Sequence, residues 1–233
     1  MNRIDRLFER MIPLGKRYMS DKTFRGRVGL YLGGFGNFLF ILLNFLSGLF
    51  CRSVWFISIG FFYLALVFIK HKLARTESRT CRLYREKARI AEIKAYVQTG
   101  VLLFLLAFLI SGIGTQVIKE NRSYSYNHFL IYGVGAYAFY YMGITIYNMF
   151  FYKKKDSYIW SAVQAVNFTT AMIGIYSFQT ALLNQVSTDE YRAMFNRITM
   201  IDLLIVIILK AAFMIVKGKI TLGNIHKQRR KER

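Results

Sequence analysis

The sequence predicts an all-α, polytopic membrane protein with six transmembrane helices. Three observations carry this: 55% of its 233 residues are hydrophobic, the apolar residues gather into six runs of about the 20 residues a bilayer crossing requires, and nearly all of the 33 Lys and Arg lie in the gaps between those runs. A soluble domain is roughly 45–50% apolar. A net charge of +21 on a soluble fold would point to nucleic acid, but no basic-aromatic platform or known module accompanies it, so nucleic acid is excluded as a partner. Summed over alternate gaps, 27 Lys and Arg fall on one side and 5 on the other. By the positive-inside rule both termini are cytoplasmic, which makes this a multi-pass cytoplasmic-membrane protein whose basic inner face attracts anionic lipid headgroups.

Residues 1–27 lack the apolar core of a signal peptide. Ile4, Leu7, Phe8, Met11 and Ile12 recur at helical spacing among Arg and Glu, which describes either a basic amphipathic helix on the inner headgroup layer or a basic tail. The transmembrane domain then occupies 28–217, with spans at about 28–51, 53–69, 95–118, 127–152, 157–184 and 198–216, and a basic tail follows at 218–233. Arg52 alone separates the first two spans, which therefore form a tight hairpin. The connector 70–94 is basic, with Glu77, Glu86 and Glu92 interspersed, and is long enough for the second and third helices to extend beyond the membrane.

The first span sets Gly33, Asn37, Phe40, Asn44 and Ser47 on one helical face. In the fifth, Asn167, Thr170, Gly174, Ser177, Ala181 and Asn184 form a similar seam, with Val166, Phe168, Met172, Ile173 and Ile175 on the arc expected to face lipid. Small and polar residues in register are what membrane helices use to approach closely and hydrogen-bond. An amide in hydrocarbon needs a partner. The expected pairing joins Asn37 and Asn44 to Asn167 and Thr170, either as interhelical glue or as the lining of a substrate or ion pathway. Tyr137, Tyr140 and Tyr141 lie deep in the fourth span and need polar partners of their own.

Asp202 and Lys210 are the only ionisable residues within the sixth span. Such groups are functional candidates by default. Lys210 is expected to snorkel inward; Asp202 is either an interface carboxylate or a proton- or cation-coupling group. Arg79, Arg82 and Arg85 are the candidate contacts for lipid or a protein partner.

His71, His128 and His226 lie at or beyond span ends, and no nucleophile elbow, phosphate loop or zinc-protease motif occurs, so neither an enzyme nor a metal centre or cofactor is expected. Cys51 and Cys81 fall on opposite sides of the membrane and form no disulfide framework.

With inner termini, the hairpin "NFLSGLFCRSVWFISIGFFYLAL" and the segment "YNMFFYKKKDSYIWSAVQAVNFTTAMIGIYSFQTALL", the chain resembles the transmembrane half of the cation diffusion facilitators and uncharacterised bacterial six-helix proteins. Ser53 and Ser161 match the serines that follow that family's hairpin turns. The resemblance implies a cation-efflux-like bundle and a homodimer. It departs from the family in two respects: spans 53–69 and 157–184 hold no Asp, Glu or His to serve as metal ligands, and no cytoplasmic C-terminal domain follows. The expected function is transport of a small solute or cation through Asn37, Asn44, Asn167, Thr170 and Asp202. The alternative is a non-transporting scaffold or regulator that binds a partner or anionic lipid through its basic inner face.

Overall fold

The computed structural model describes residues 22–50, 54–81, 83–120, 128–151 and 157–231. The amphipathic reading of 1–21, the first hairpin turn with Ser53, and Arg82 lie outside these residues. The described chain is all-helical, in six helices: α1 Lys22–Phe50, α2 Val54–Thr80, α3 Arg85–Glu120, α4 His128–Phe151, α5 Tyr158–Val186 and α6 Asp189–Lys231. Among the described residues, three stretches are long and apolar enough to cross a membrane: Phe56–Thr80, Arg85–Gly112 and Asp189–Ile225. Charge-free α5 is not among them. Gln164, Asn167, Gln179 and the hydroxyl residues between them lower its hydropathy, a consequence of its polar faces.

Polar side chains are buried among a mainly apolar core, while large apolar side chains cover much of the exterior. On α1, Asn37, Asn44 and Ser47 are buried while Phe38, Leu39, Leu42, Leu43 and Leu46 are exposed. Phe61, Leu64 and Phe68 of α2, Leu105, Phe108 and Leu109 of α3, and Leu209 and Phe213 of α6 continue the apolar exterior. A helix of a water-soluble bundle shows the reverse pattern, and an exposed apolar surface of this extent marks contact with lipid or another protein.

The helices associate as three main pairs, α1 with α2, α4 with α5, and α3 with α6, and α5 also touches α2, α3 and α6. Because α5 is enclosed, its expected lipid-facing arc is corrected: Val166 and Ile173 are fully buried, and Phe168, Met172 and Ile175 are half-buried. Small residues set the spacing. A Cβ at Gly174 would lie 3.3 Å from the Ala138 backbone of α4, and one at Gly100 of α3 would lie 3.1 Å from the Ala211 carbonyl of α6. Backbones this close maximise dispersion contacts, which drive helix association in lipid.

Side chains from neighbouring helices complete the helix ends. Ser157 begins α5 without capping it through its own side chain. Glu92 of α3 does so instead, its Oε2 accepting from the Tyr158 N–H at 3.2 Å and the Ser157 hydroxyl at 3.3 Å. A carboxylate there satisfies an orphan donor and complements the helix dipole. Asp189 and Glu190 occupy the first turn of α6, and Asp189 pairs with the buried Arg192 at 2.6 Å.

Candidate functional site

The amides expected to meet in one place are divided between two regions. Asn37 is fully buried, and its Oδ1 accepts a hydrogen bond from the Tyr137 hydroxyl of α4 at 2.8 Å. Phe40 stacks on the Tyr137 ring with centroids 3.8 Å apart, and Tyr63 of α2 meets Phe40 edge-on at 4.8 Å. The Tyr63 hydroxyl donates to the Thr170 carbonyl of α5 at 3.4 Å. Asn44 donates to the Phe40 carbonyl of its own helix at 2.8 Å, and the Thr170 hydroxyl likewise donates to the Val166 carbonyl at 2.8 Å. The expected pairing of Asn37 and Asn44 with Asn167 and Thr170 is therefore corrected. Tyr137 takes the Asn37 oxygen, and α1 packs on α2 and slightly on α4 but not on α5. Nearby, Lys70 is buried at 4% exposure with its Nζ 4.9 Å from the centre of the Tyr141 ring.

Asn167 belongs to a different region. It is half-buried and lines a cavity of about 480 Å³ with Thr145 of α4, Gln164 and Phe168 of α5, and Val206, Leu209, Lys210 and Phe213 of α6. The α6 residues recur at spacings of three and four, and so do Gln164, Asn167 and Phe168, so each helix presents one face. Among the described residues α4 and α6 both pack on α5 but not on each other. The groove between them has α5 as its floor. Thr170 is fully buried where α2 meets α5, whereas Asn167 is half-buried at the edge of that face and borders the groove.

The α5–α6 contact toward the C-terminal end of α5 holds a third polar cluster. Gln179 Nε2 donates to the Thr199 hydroxyl at 2.8 Å, and Thr180 Oγ1 lies 3.2 Å from Asn196 Oδ1. Asp202 is exposed and outside the groove lining, about one turn before Val206, the first α6 residue of that lining. Lys210, expected only to snorkel, is one of the lining residues. Arg79 and Arg85 are exposed at the α2–α3 connection.

Sequence reasoning missed Gln164, Thr145, Lys70 and the Gln179–Thr199 pair. Gln164 had a signal, since it extends the fifth-span seam by one three-residue step from Asn167. Thr145 and Lys70 had none, as their roles depend on which helices adjoin. The donor set suits amide and ammonium chemistry. Among the described residues no three His, Cys, Asp or Glu side chains come together as metal ligands. No protein-family model matches the chain, and no curated protein matches it either.

Proposed function

We propose that the protein is a six-span membrane transporter for a small solute, with both termini cytoplasmic and a cation-diffusion-facilitator-like bundle stripped of metal ligands. The observation that carries the proposal is the cavity at Asn167. At about 480 Å³ it falls within the roughly 300–1,000 Å³ of small-molecule sites, and it combines apolar walls with a few polar groups as such sites do. It also lies against a discontinuity in packing, where α4 and α6 both contact α5 but not each other. Relative movement of either helix on α5 would change access to the groove. Among the described residues Lys210 is the one charged residue in the lining and no carboxylate joins it, which favours the small-solute reading over the cation reading. Asp202 continues the same side of α6 outward and is the group we assign to coupling.

The test is a thermal-stability and flux screen of reconstituted protein against neutral, anionic and cationic solutes at two pH values. A solute that stabilises and crosses with the wild type but not with Asn167→Leu supports the reading. Flux that survives Asn167→Leu would overturn it, as would the absence of stabilisation or flux across the panel.

The exposure of Arg79 and Arg85 favours a second reading, a scaffold that binds anionic lipid or an acidic partner on its inner face. Replacing Arg79, Arg82 and Arg85 by Gln should then lower binding to vesicles rich in anionic lipid. Binding that survives this change would dismiss the second reading.

A further inference from the structure

The groove joins a cation at depth to an apolar channel that opens sideways, and together these specify a ligand class. The depth of Lys210 follows from the register of α5 on α6. At the inner end the Tyr158 hydroxyl reaches the Thr221 hydroxyl at 3.4 Å, and at the outer end Gln179 bonds Thr199 at 2.8 Å. The two helices are antiparallel, so counting residues from either contact puts Lys210 level with residues 168–169 of α5, beside Asn167 and Phe168. Lys217, the next basic residue along α6, lies about 10 Å nearer the cytoplasmic end.

Lys210 has no ion-pair partner among the described residues. Asp202 is the nearest carboxylate along α6, about 12 Å away along the axis. Intramembrane charges ordinarily pair or face a polar cavity, and here Lys210 lines a cavity together with Asn167. Leu209 and Phe213, which flank Lys210 in the lining, are 65% and 56% exposed. The groove is therefore open along the apolar exterior of the bundle, on the side that faces lipid in a membrane.

We infer that the groove between α4, α5 and α6 takes a single-chain amphiphile with a carboxylate head, a long-chain fatty-acid anion, entering from the lipid phase. Lys210 and the amide of Asn167 bind the carboxylate, and Phe168, Val206, Leu209 and Phe213 bind the chain. A carboxylate is compact enough to reach a cation about 10 Å below the next basic residue. The bulkier headgroup of a two-chain phospholipid would have to leave the polar layer entirely to do so. The inference rests on the reading that the cavity at Asn167 is the transport site, and names its substrate class.

The experiment measures binding of oleate to the purified full-length chain in neutral-lipid nanodiscs, with oleyl alcohol, butyrate and phosphatidylglycerol as competitors. Oleate is expected to bind at least tenfold more tightly than the alcohol or butyrate and to resist phosphatidylglycerol. Lys210→Gln should weaken oleate tenfold or more without changing the alcohol, and Lys210→Arg should restore most of the loss. Both variants replace an exposed side chain, and a monodisperse elution profile verifies the fold. Equal binding of oleate and oleyl alcohol, oleate binding unaffected by Lys210→Gln, or displacement by phosphatidylglycerol at equal concentration would overturn the inference. If oleate fails while another solute still depends on Asn167, only the substrate class falls. If no solute of any class depends on Asn167, the transport reading falls with it.

Discussion

Asn37 and Asn167 are the same residue type at similar seam positions of two helices, yet one is enclosed and the other faces a void. Around Asn37, Phe40, Tyr63 and Tyr137 pack ring against ring, and a tyrosine hydroxyl occupies the amide oxygen. The Asn37 Nδ2 is buried without a hydrogen-bond partner. Around Asn167 the neighbouring helices part, and a cavity takes the place of a partner helix. The difference teaches that an amide on a membrane-helix seam becomes structural or available according to whether a third helix closes over it. The aromatic region is closed by ring packing, and the groove beside Asn167 is open.

The largest effect that would sharpen this contrast is expected from Tyr63→Ala. It empties a fully buried ring site at the junction of α1, α2, α4 and α5, and large-to-small replacements of buried aromatics cost about 3–5 kcal/mol. Unfolding in mild detergent, followed by the loss of helical signal, should show it. A loss under about 1 kcal/mol, well below that range, would mean the aromatic region is loosely packed. Gly174→Val comes next. Its side chain would meet the Ala138 backbone, separate α4 from α5 and cost about 1–3 kcal/mol as overpacking does. Because that shift moves one wall of the groove, ligand affinity should fall as well, whereas Tyr63→Ala should act on stability first.

How much of this was legible in the sequence follows from particular residues. The α1 seam was legible: the spacing that joins Asn37, Phe40, Asn44 and Ser47 describes a face that is buried, because helical periodicity is a local property of the chain. The partner of that seam was not legible. Any helix with a hydroxyl at the right depth can satisfy an amide, and Tyr137 did so in place of Asn167. The third and fifth helices showed the same limit. Gly100 and Gly174 were readable as contact residues, but their neighbours on α6 and α4 follow from the packing of the whole bundle. From the sequence Asp202 was the candidate coupling group and Lys210 was expected only to snorkel, and it is the position of α5 that brings Lys210 to the cavity and leaves Asp202 outside its lining.

Three further effects complete the comparison. Asn37→Leu leaves the Tyr137 hydroxyl without its acceptor and should cost about 1–3 kcal/mol. Combined with Tyr137→Phe, a double-mutant cycle should return a coupling of about 0.6–2 kcal/mol, the range of interhelical hydrogen bonds in lipid. Asn167→Leu should lower stability by no more than about 0.5 kcal/mol, since it removes no bond between helices. A cost equal to that of Asn37→Leu would erase the distinction between the two amides. The smallest change is expected from Arg79→Gln with Arg85→Gln: stability within about 0.5 kcal/mol, as for other surface substitutions, and weaker, salt-sensitive attachment to anionic vesicles.

The central claim is that the groove, and not the aromatic region, is where the protein meets its ligand. The most direct measurement is the thermal shift produced by a stabilising solute on the wild type, Asn167→Leu and Tyr137→Phe, compared at equal solute concentration. Because a ligand that binds only the folded state stabilises it in proportion to occupancy, the shift should vanish in Asn167→Leu and persist in Tyr137→Phe despite that variant's lower starting stability. A shift retained in Asn167→Leu and lost in Tyr137→Phe would put the ligand in the aromatic region and contradict the account.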